Sequence, residues 1–410
     1  MLQTVRGTHD LLPEAQAKHN TIITRARSIS ERFGFQEMST PIFEFSEVFK
    51  RTLGEASDIV SKEMYTFKDR NDEEITLRPE GTAGVARAFI SEGLTQKVPL
   101  KLFYQGPMFR YERPQKGRQR QFHQLGVELI GVPSAFADVE CLTLAHEILR
   151  DLKVDQSRLE LNSIGDKESR GRYTESLVKY LQQHKAGLSA DSQKRLEQNP
   201  LRILDSKDPK DQELLKNAPV ISEFYNENSK QFFATICDSL KNMGIPFHIN
   251  PFLVRGLDYY THCVFEFRTT ALGAQDAILS GGRYDQLIET MGGPSTPGVG
   301  WAAGIERLAM LTPLTTPAIR PLAVIPVHNS VEAKAFELCY KLRADGFTCE
   351  IAFSGNLSKR MKRAAGQNCR AAVVLGPDEL ARGEVMLKDL DSGEQKTVSL
   401  DALTAALKNL

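Results

Sequence analysis

Residues 101–131, KLFYQGPMFRYERPQKGRQRQFHQLGVELIG, decide how this chain folds. KLFYQGPMFRYE and QFHQLGVELIG read as two strands, joined by a polar, basic connection. Between Arg110 and Arg120 lie five basic residues (Arg110, Arg113, Lys116, Arg118, Arg120) and one acid, Glu112, a local net charge of +4. A solvated surface loop is the ordinary account of such a run. Flanking strands would instead put Arg110 and Glu112 on one sheet face, because strand side chains alternate with period two. An arginine so placed suits a polyphosphate, whose negative charge must be stabilised where it develops.

Outward from this segment, short strands and helices mix. Ala15 to Phe33 reads as an amphipathic helix, and EMYTFKDRNDEEITLRP as a hairpin with an Asn-Asp turn. After Pro79, GTAGVARAFI is helix-prone with Thr82 as candidate N-cap. The mixture predicts an α+β catalytic domain, its sheet flanked by helices. Residues 168–230 are charged and helix-prone, which marks a helical insertion. FHINPFLVRGLDYYTHCVFEFR and AILSGGRYDQLI return to strand character, and MGGPSTPGVG leads into an expected helix WAAGIERLAML. TPLTTPAIRP (312–321), with three prolines, reads as a linker. Beyond it, strands alternate with helices, the pattern of a small α/β domain on a largely parallel sheet. The expected divisions are 1–167 and 231–312 for the two parts of the first domain, 168–230 for the insertion, 313–320 for the linker and 321–410 for the last domain.

Composition bounds the function. Of the 410 residues, 52 are Lys or Arg and 52 Asp or Glu, so zero net charge argues against charge-driven coating of nucleic acid while permitting a local basic site. A 41% hydrophobic, 25% charged chain has the composition of a soluble globular protein. No apolar run approaches the ~20 residues that span a bilayer, so no membrane partner is expected. MLQTVRGTHDLLPEA shows neither a signal core nor a transit pattern. Six cysteines without a CxxC pair suit free thiols in a reducing cytoplasm, and no metal ligand is assigned among the side chains.

Three further segments carry chemistry. RGLDYYT (255–261) places Arg255, with its fixed charge and planar donor fork, near Tyr259 and Tyr260 and their hydroxyls. Such a cluster would grip a small polar ligand or form a core strand with its own salt bridge. TLRPEGTAGVARA offers Glu80 and Thr82, to take a ligand ammonium group or to cap a helix. PGVGWAAGIERL puts Arg307 on a helix entered through small residues, which admit a ligand close to the backbone. A GxxxxGK[ST] phosphate loop, HExxH and the HIGH and KMSKS elements are all missing; GVELIG has the glycine spacing but runs into Val132.

Taken in order, these segments resemble the histidyl-tRNA synthetase family of the class II aminoacyl-tRNA synthetases, over nearly the whole chain. RGTHDLLP resembles its N-terminal signature, TPIFEF around Pro41 its motif 1, FRYERPQKGRQRQFHQLGVELIG its motif 2 and PGVGWAAGIERL its motif 3. RGLDYYT and LSGGRYDQL resemble two histidine-specific elements.

The resemblance implies an antiparallel catalytic sheet flanked by helices, a helical insertion and a C-terminal anticodon-binding domain. It implies ATP-dependent activation of L-histidine, with Mg²⁺ on the nucleotide, and transfer to tRNA(His) by a homodimer joined through motif 1. By position, Arg110 would contact the α-phosphate, Glu112 the adenine amino group, Phe122 the adenine face and Arg307 the γ-phosphate. Glu80, Thr82 and Gln124 would hold the amino-acid head group. Glu128, Tyr259 and Tyr260, with Tyr284 nearby, would shape the imidazole pocket, and Arg255 would act with Arg110 in catalysis. Arg113, Gln115 and Arg120 match loop positions near the tRNA acceptor end. The basic tract 357–370 (Lys359, Arg360, Lys362, Arg363, Arg370) would face the anticodon stem or be a solvated helix face. The competing reading is a paralogue that serves as regulatory subunit of the first enzyme of histidine biosynthesis, which lacks the tRNA-binding parts. A synthetase-like structural or signalling module would show degraded motifs.

Overall fold

The computed structural model describes residues 2–410 apart from 55, 56, 58, 116, 258, 274–276 and 316–318. Lys116 of the basic connection, Asp258 of RGLDYYT and part of the expected linker lie outside the described residues. The chain divides into two compact units, Met1–Thr316 and Pro317–Leu410. No described helix is long and apolar enough to cross a membrane, and all six cysteines are buried and unbonded.

The first unit holds, in chain order, β1 (Gln36–Glu37), β2 (Phe43–Phe45), β3 (Tyr65–Lys68), β4 (Glu74–Leu77), β5 (Leu100–Phe109) and β6 (Gln121–Ile130). It continues with β7 (Arg158–Ser163), β8 (Phe247–Ile249), β9 (Thr261–Arg268), β10 (Ala277–Arg283) and β11 (Gly298–Gly304). The main sheet runs β1-β5-β6-β11-β10-β9-β7-β8. Its inner pairs are antiparallel; the short edge strands β1 and β8 join in parallel. The two opening runs are β5 and β6, paired without a break from Leu100–Ile130 to Phe109–Gln121.

Period-two alternation divides β6 between two environments. Leu125, Val127 and Leu129 join the core beneath helices Pro13–Arg32, Ala135–Asp151 and Glu227–Asn242. Phe122, Gln124 and Glu128 belong to the other face, which helix Thr82–Ser91 covers through Val85, Ala86 and Phe89. The expected hairpin forms as β3 and β4, but with β2 it makes a separate three-stranded sheet.

Several expectations change. WAAG does not begin a helix: Gly298–Gly304 is a central strand between β6 and β10, and the helix starts at Ile305. A short apolar run carries no periodicity that separates strand from helix, and sheet pairing decided it. RGLDYYT is loop rather than strand over most of its length, β9 beginning only at Thr261. The insertion is helical, with a core around Tyr173, Leu177 and Leu181 that reaches Tyr260 and Val264. Helix Glu227–Asn242 spans the expected 230/231 division and packs Ile236 and Leu240 into the sheet's core.

The second unit carries β12 (Leu322–Pro326), β13 (Cys349–Ile351), β14 (Ala371–Leu375), β15 (Glu384–Asp389) and β16 (Gln395–Ser399), in the order β13-β12-β14-β15-β16. The first three strands are parallel; the closing hairpin adds two antiparallel pairs, so the sheet is mixed rather than largely parallel.

Arg283, at the end of β10, is fully buried against Asp138 of helix Ala135–Asp151, its Nε 2.9 Å from Oδ2. Its other nitrogens donate to the carbonyls of Val132 and Ser134 and to Asp285. Burial raises the Asp138 carboxyl to about 6 against the pull of the guanidinium. Arg283→Met should lower the unfolding free energy by roughly 3–5 kcal/mol, because it strands a buried carboxylate. Urea denaturation checks this, and adding Asp138→Leu should recover most of the loss; a single variant as stable as the parent would contradict it.

Candidate active site

A cavity of ≈ 700 Å³ opens on the face of the main sheet that carries Phe122 and Gln124. Glu80, Thr82, Arg110, Glu112 and Arg307 line it, as do Arg255, Tyr259, Tyr260 and Tyr284. The structure therefore brings together the residues expected to hold nucleotide and amino acid. Glu128 lies just beneath, fully buried.

Glu128 Oε1 accepts from Thr82 Oγ1 at 2.7 Å, and Oε2 accepts from the Tyr284 hydroxyl. Burial raises this carboxyl to about 8 even though both hydrogen bonds favour its charged form. Directly across on β11 stands Gly300, where a Cβ would come within 1.9 Å of Oε2. Only glycine leaves the carboxylate room to lie flat on the sheet. Burial also raises the phenols of Tyr259, Tyr260 and Tyr284, so all three stay neutral hydroxyls. The Tyr259 ring stands edge-on to Tyr284 at 5.9 Å and leans on Tyr260 at 4.6 Å.

Thr82 is not the N-cap of its helix. Glu80 caps it, accepting from the N–H groups of Thr82 at 2.7 Å and Ala83 at 2.8 Å, which leaves the Thr82 hydroxyl for Glu128. Glu80 keeps spare lone pairs on both oxygens, and Gln124 Oε1 is buried without a partner among the described residues. An unpaired buried acceptor beside a carboxylate is a ready seat for a ligand ammonium group.

Arg110 and Glu112 lie just past the end of β5 but keep the parity of Tyr104 and Met108 on the Phe122 side, and the Arg110 N–H still donates to the Arg120 carbonyl at 2.9 Å. Arg110 Nε donates to the Pro79 carbonyl at 2.8 Å, and its guanidinium lies 5.4 Å from the Phe122 ring centre. Glu112 pairs with Arg118 at 2.9 Å. Arg255 combines both of its readings: it forms an ion pair with Glu266 of β9 and still lines the cavity, with its buried Nε unpartnered among the described residues. Arg307, in the first turn of its helix, donates to the carbonyls of Gly117 and Ala277.

Three expected residues lie outside the cavity. Arg113 and Gln115 are exposed on the connection. Arg120 turns back on Tyr111, 3.8 Å from its ring centre, and its N–H donates to the Gly7 carbonyl. In the C-terminal tract Lys359, Lys362 and Arg363 are exposed, whereas Arg360 is buried on the Pro326 carbonyl and Glu332, and Arg370 donates to the Leu407 carbonyl.

Sequence reading missed Glu266, although an acid and Arg268 sharing the parity of Val264 in THCVFEFR were a legible sign of a polar strand face. It also missed Asp205 and Lys207, which the insertion brings to the cavity wall. Nothing local marks those two, because their place depends on how the insertion packs.

Residues 7–308 match the family model described as histidyl-tRNA synthetase, and residues 322–410 the anticodon binding domain. A histidine–tRNA ligase of Rhodospirillum rubrum is 57% identical over 98% of this chain and 97% of its own length. That of Gluconacetobacter diazotrophicus is 51% identical over 100% and 99%. The crystal structure of apo S. aureus histidyl-tRNA synthetase superposes with a TM-score of 0.85 at 35% identity, covering 100% of both chains. A Bacillus halodurans protein described as an ATP phosphoribosyltransferase regulatory subunit/histidyl-tRNA synthetase shares the fold, with a TM-score of 0.65 at 23% identity over 88% of this chain and 96% of that one. Motifs, sheet, cavity and full-length relatives agree, and the chain belongs to the histidyl-tRNA synthetase family.

Proposed function

We propose that this chain activates L-histidine with ATP and passes the histidyl group to the 3′ end of tRNA(His). The observation that carries the reading is the meeting, in one cavity, of Arg110 and Arg255 from separate segments with the Glu128–Tyr284 pair. A histidine carboxylate oxygen attacks the α-phosphorus, the bond to the bridging oxygen breaks, and pyrophosphate leaves. Two fixed guanidinium groups stabilise the charge on that phosphoryl group without solvent reorganisation. A hydroxyl at the tRNA 3′ end then attacks the adenylate carbonyl carbon and AMP leaves. Mg²⁺ would arrive with the nucleotide on phosphate oxygens, since Glu112 and Glu266 are already paired with Arg118 and Arg255.

In the amino-acid pocket, Glu80 and Gln124 take the ammonium group, while Glu128 and a tyrosine hydroxyl read the imidazole nitrogens. Thr82 contributes by orienting Glu128. Analogues without those nitrogens would leave buried polar groups unpaired, which gives strong discrimination. Phe122 stacks on adenine, Glu112 accepts from its amino group, and Arg307 turns to the γ-phosphate. Exposed Arg113 and Gln115 suit the acceptor end of tRNA; Arg120 supports the connection from inside. Lys359, Lys362 and Arg363 of the C-terminal unit suit the anticodon stem, the other two basic residues of the tract being structural. Exposed Ile42, Phe43 and Phe45 around the motif 1 segment, with Phe67 on the same small sheet, support assembly as a homodimer. Six unbonded thiols suit a cytoplasmic setting. The regulatory-subunit reading is disfavoured by the complete basic connection and the C-terminal domain.

ATP–pyrophosphate exchange with each of the twenty amino acids tests the reading: histidine alone should support exchange, and silence with all twenty would favour the regulatory paralogue. Arg255→Ala should remain folded yet lose adenylate formation, the missing donor raising the barrier by ~3–4 kcal/mol. Near-normal exchange by a folded variant would remove Arg255 from the reaction. If bound histidine is a neutral imidazole giving its N–H to ionised Glu128, affinity is limited by ionising a group whose pKa is about 8. Histidine affinity should then rise up to about tenfold per pH unit toward that value and level off above it. Glu128→Gln should weaken histidine binding, spare ATP and abolish this slope; a flat profile in the parent would mean that protonated Glu128 is the bound form.

A further inference from the structure

We infer that His19, His123 and Glu306 form a binding site for one divalent transition-metal ion of the zinc type, on the helix-covered face of the main sheet. Each offers one ligating atom, and these lie within 4.8 Å of one another. Coordination distances of ~2 Å to nitrogen and oxygen require only small side-chain rotations from that spread. The three residues come from three elements, helix Pro13–Arg32, β6 and helix Ile305–Leu311, so their approach is fixed by the fold rather than by one loop.

The second observation is His19 itself. It is 5% exposed, and its ring meets His123 edge-on at 5.6 Å. It lines a cavity of ≈ 370 Å³ together with His123, Gln105 and Asn20. That cavity leaves space for water at a fourth coordination position. His123 Nδ1 lies 2.8 Å from Glu306 Oε1, while the backbone N–H of His123 reaches both carboxylate oxygens at 2.9 and 3.0 Å. On binding, Oε1 and Nδ1 turn to the cation, the imidazole proton moves to Nε2, and Oε2 keeps the backbone N–H. Two imidazoles and one carboxylate select zinc-like ions over Mg²⁺.

The test uses the full chain stripped with a chelator, titrated with Zn²⁺ by calorimetry and with Co²⁺ by visible absorption. One equivalent should bind, with Co²⁺ giving tetrahedral-type bands that Zn²⁺ abolishes. His19→Ala should weaken binding at least about 100-fold, as expected when a direct ligand rather than a supporting group is lost. Its pyrophosphate exchange in zinc-free, Mg²⁺-containing buffer should match the parent. His19→Phe keeps a ring in the buried position and decides the matter if the alanine variant fails to fold. No saturable one-to-one binding by the parent, or undiminished affinity in the folded variants, overturns the site.

Discussion

A carboxyl group held wholly out of water in the middle of a sheet, Glu128, is the constraint around which the site is arranged. Its oxygens are held by two hydroxyl donors, and its side chain lies over a strand stripped of side chains at that row. On β11 the site-facing positions are Gly298, Gly300 and Ala302, while Val299, Trp301 and Ala303 enter the core behind. Tyr284 fills the space over Gly298, where a Cβ would fall 2.2 Å from its ring. Bulk on one face and glycine on the other thus follow from a single requirement, a flat floor for an acid and a phenol.

The floor acquires a charged wall through the loop that carries Arg255. This segment has little regular structure of its own, so other elements must hold it. Arg202 of the insertion donates to the Gly256 carbonyl at 2.8 Å, and Arg170 to the Tyr260 carbonyl at 2.8 Å. The insertion core also packs against Leu253 and Tyr260. The insertion is therefore part of what positions Arg255, the residue paired with Glu266.

The opening pair of strands, the insertion's helical character and the strand–helix order of the last unit were legible because each has a local signal: alternation, helix-prone charge, or repeated order. The placement of WAAG was not, since an apolar heptapeptide pairs as strand only when its neighbours in the sheet exist. The cap at Thr82 was misread for a similar reason. A threonine and a glutamate two residues apart can both cap, and the buried acceptor at Glu128 decides which one does. Arg110 keeps strand parity although β5 ends at Phe109, and its bond to the Pro79 carbonyl, which no local pattern marks, fixes the guanidinium. Arg360 and Arg370 show the opposite failure, where a basic run read as one surface sends two members inward to bond carbonyls.

Alternation along β6 finally joins two ends of the cavity. Its pairing with β11 stops at Gln124–Gly304, which leaves the N–H of His123 without a strand partner. The Glu306 carboxylate takes that N–H and the adjoining ring nitrogen, so the helix bearing Arg307 is clipped to the strand bearing Phe122. A residue expected at the adenine face and one expected at the γ-phosphate therefore share a joint at Glu306, which also lines the cavity.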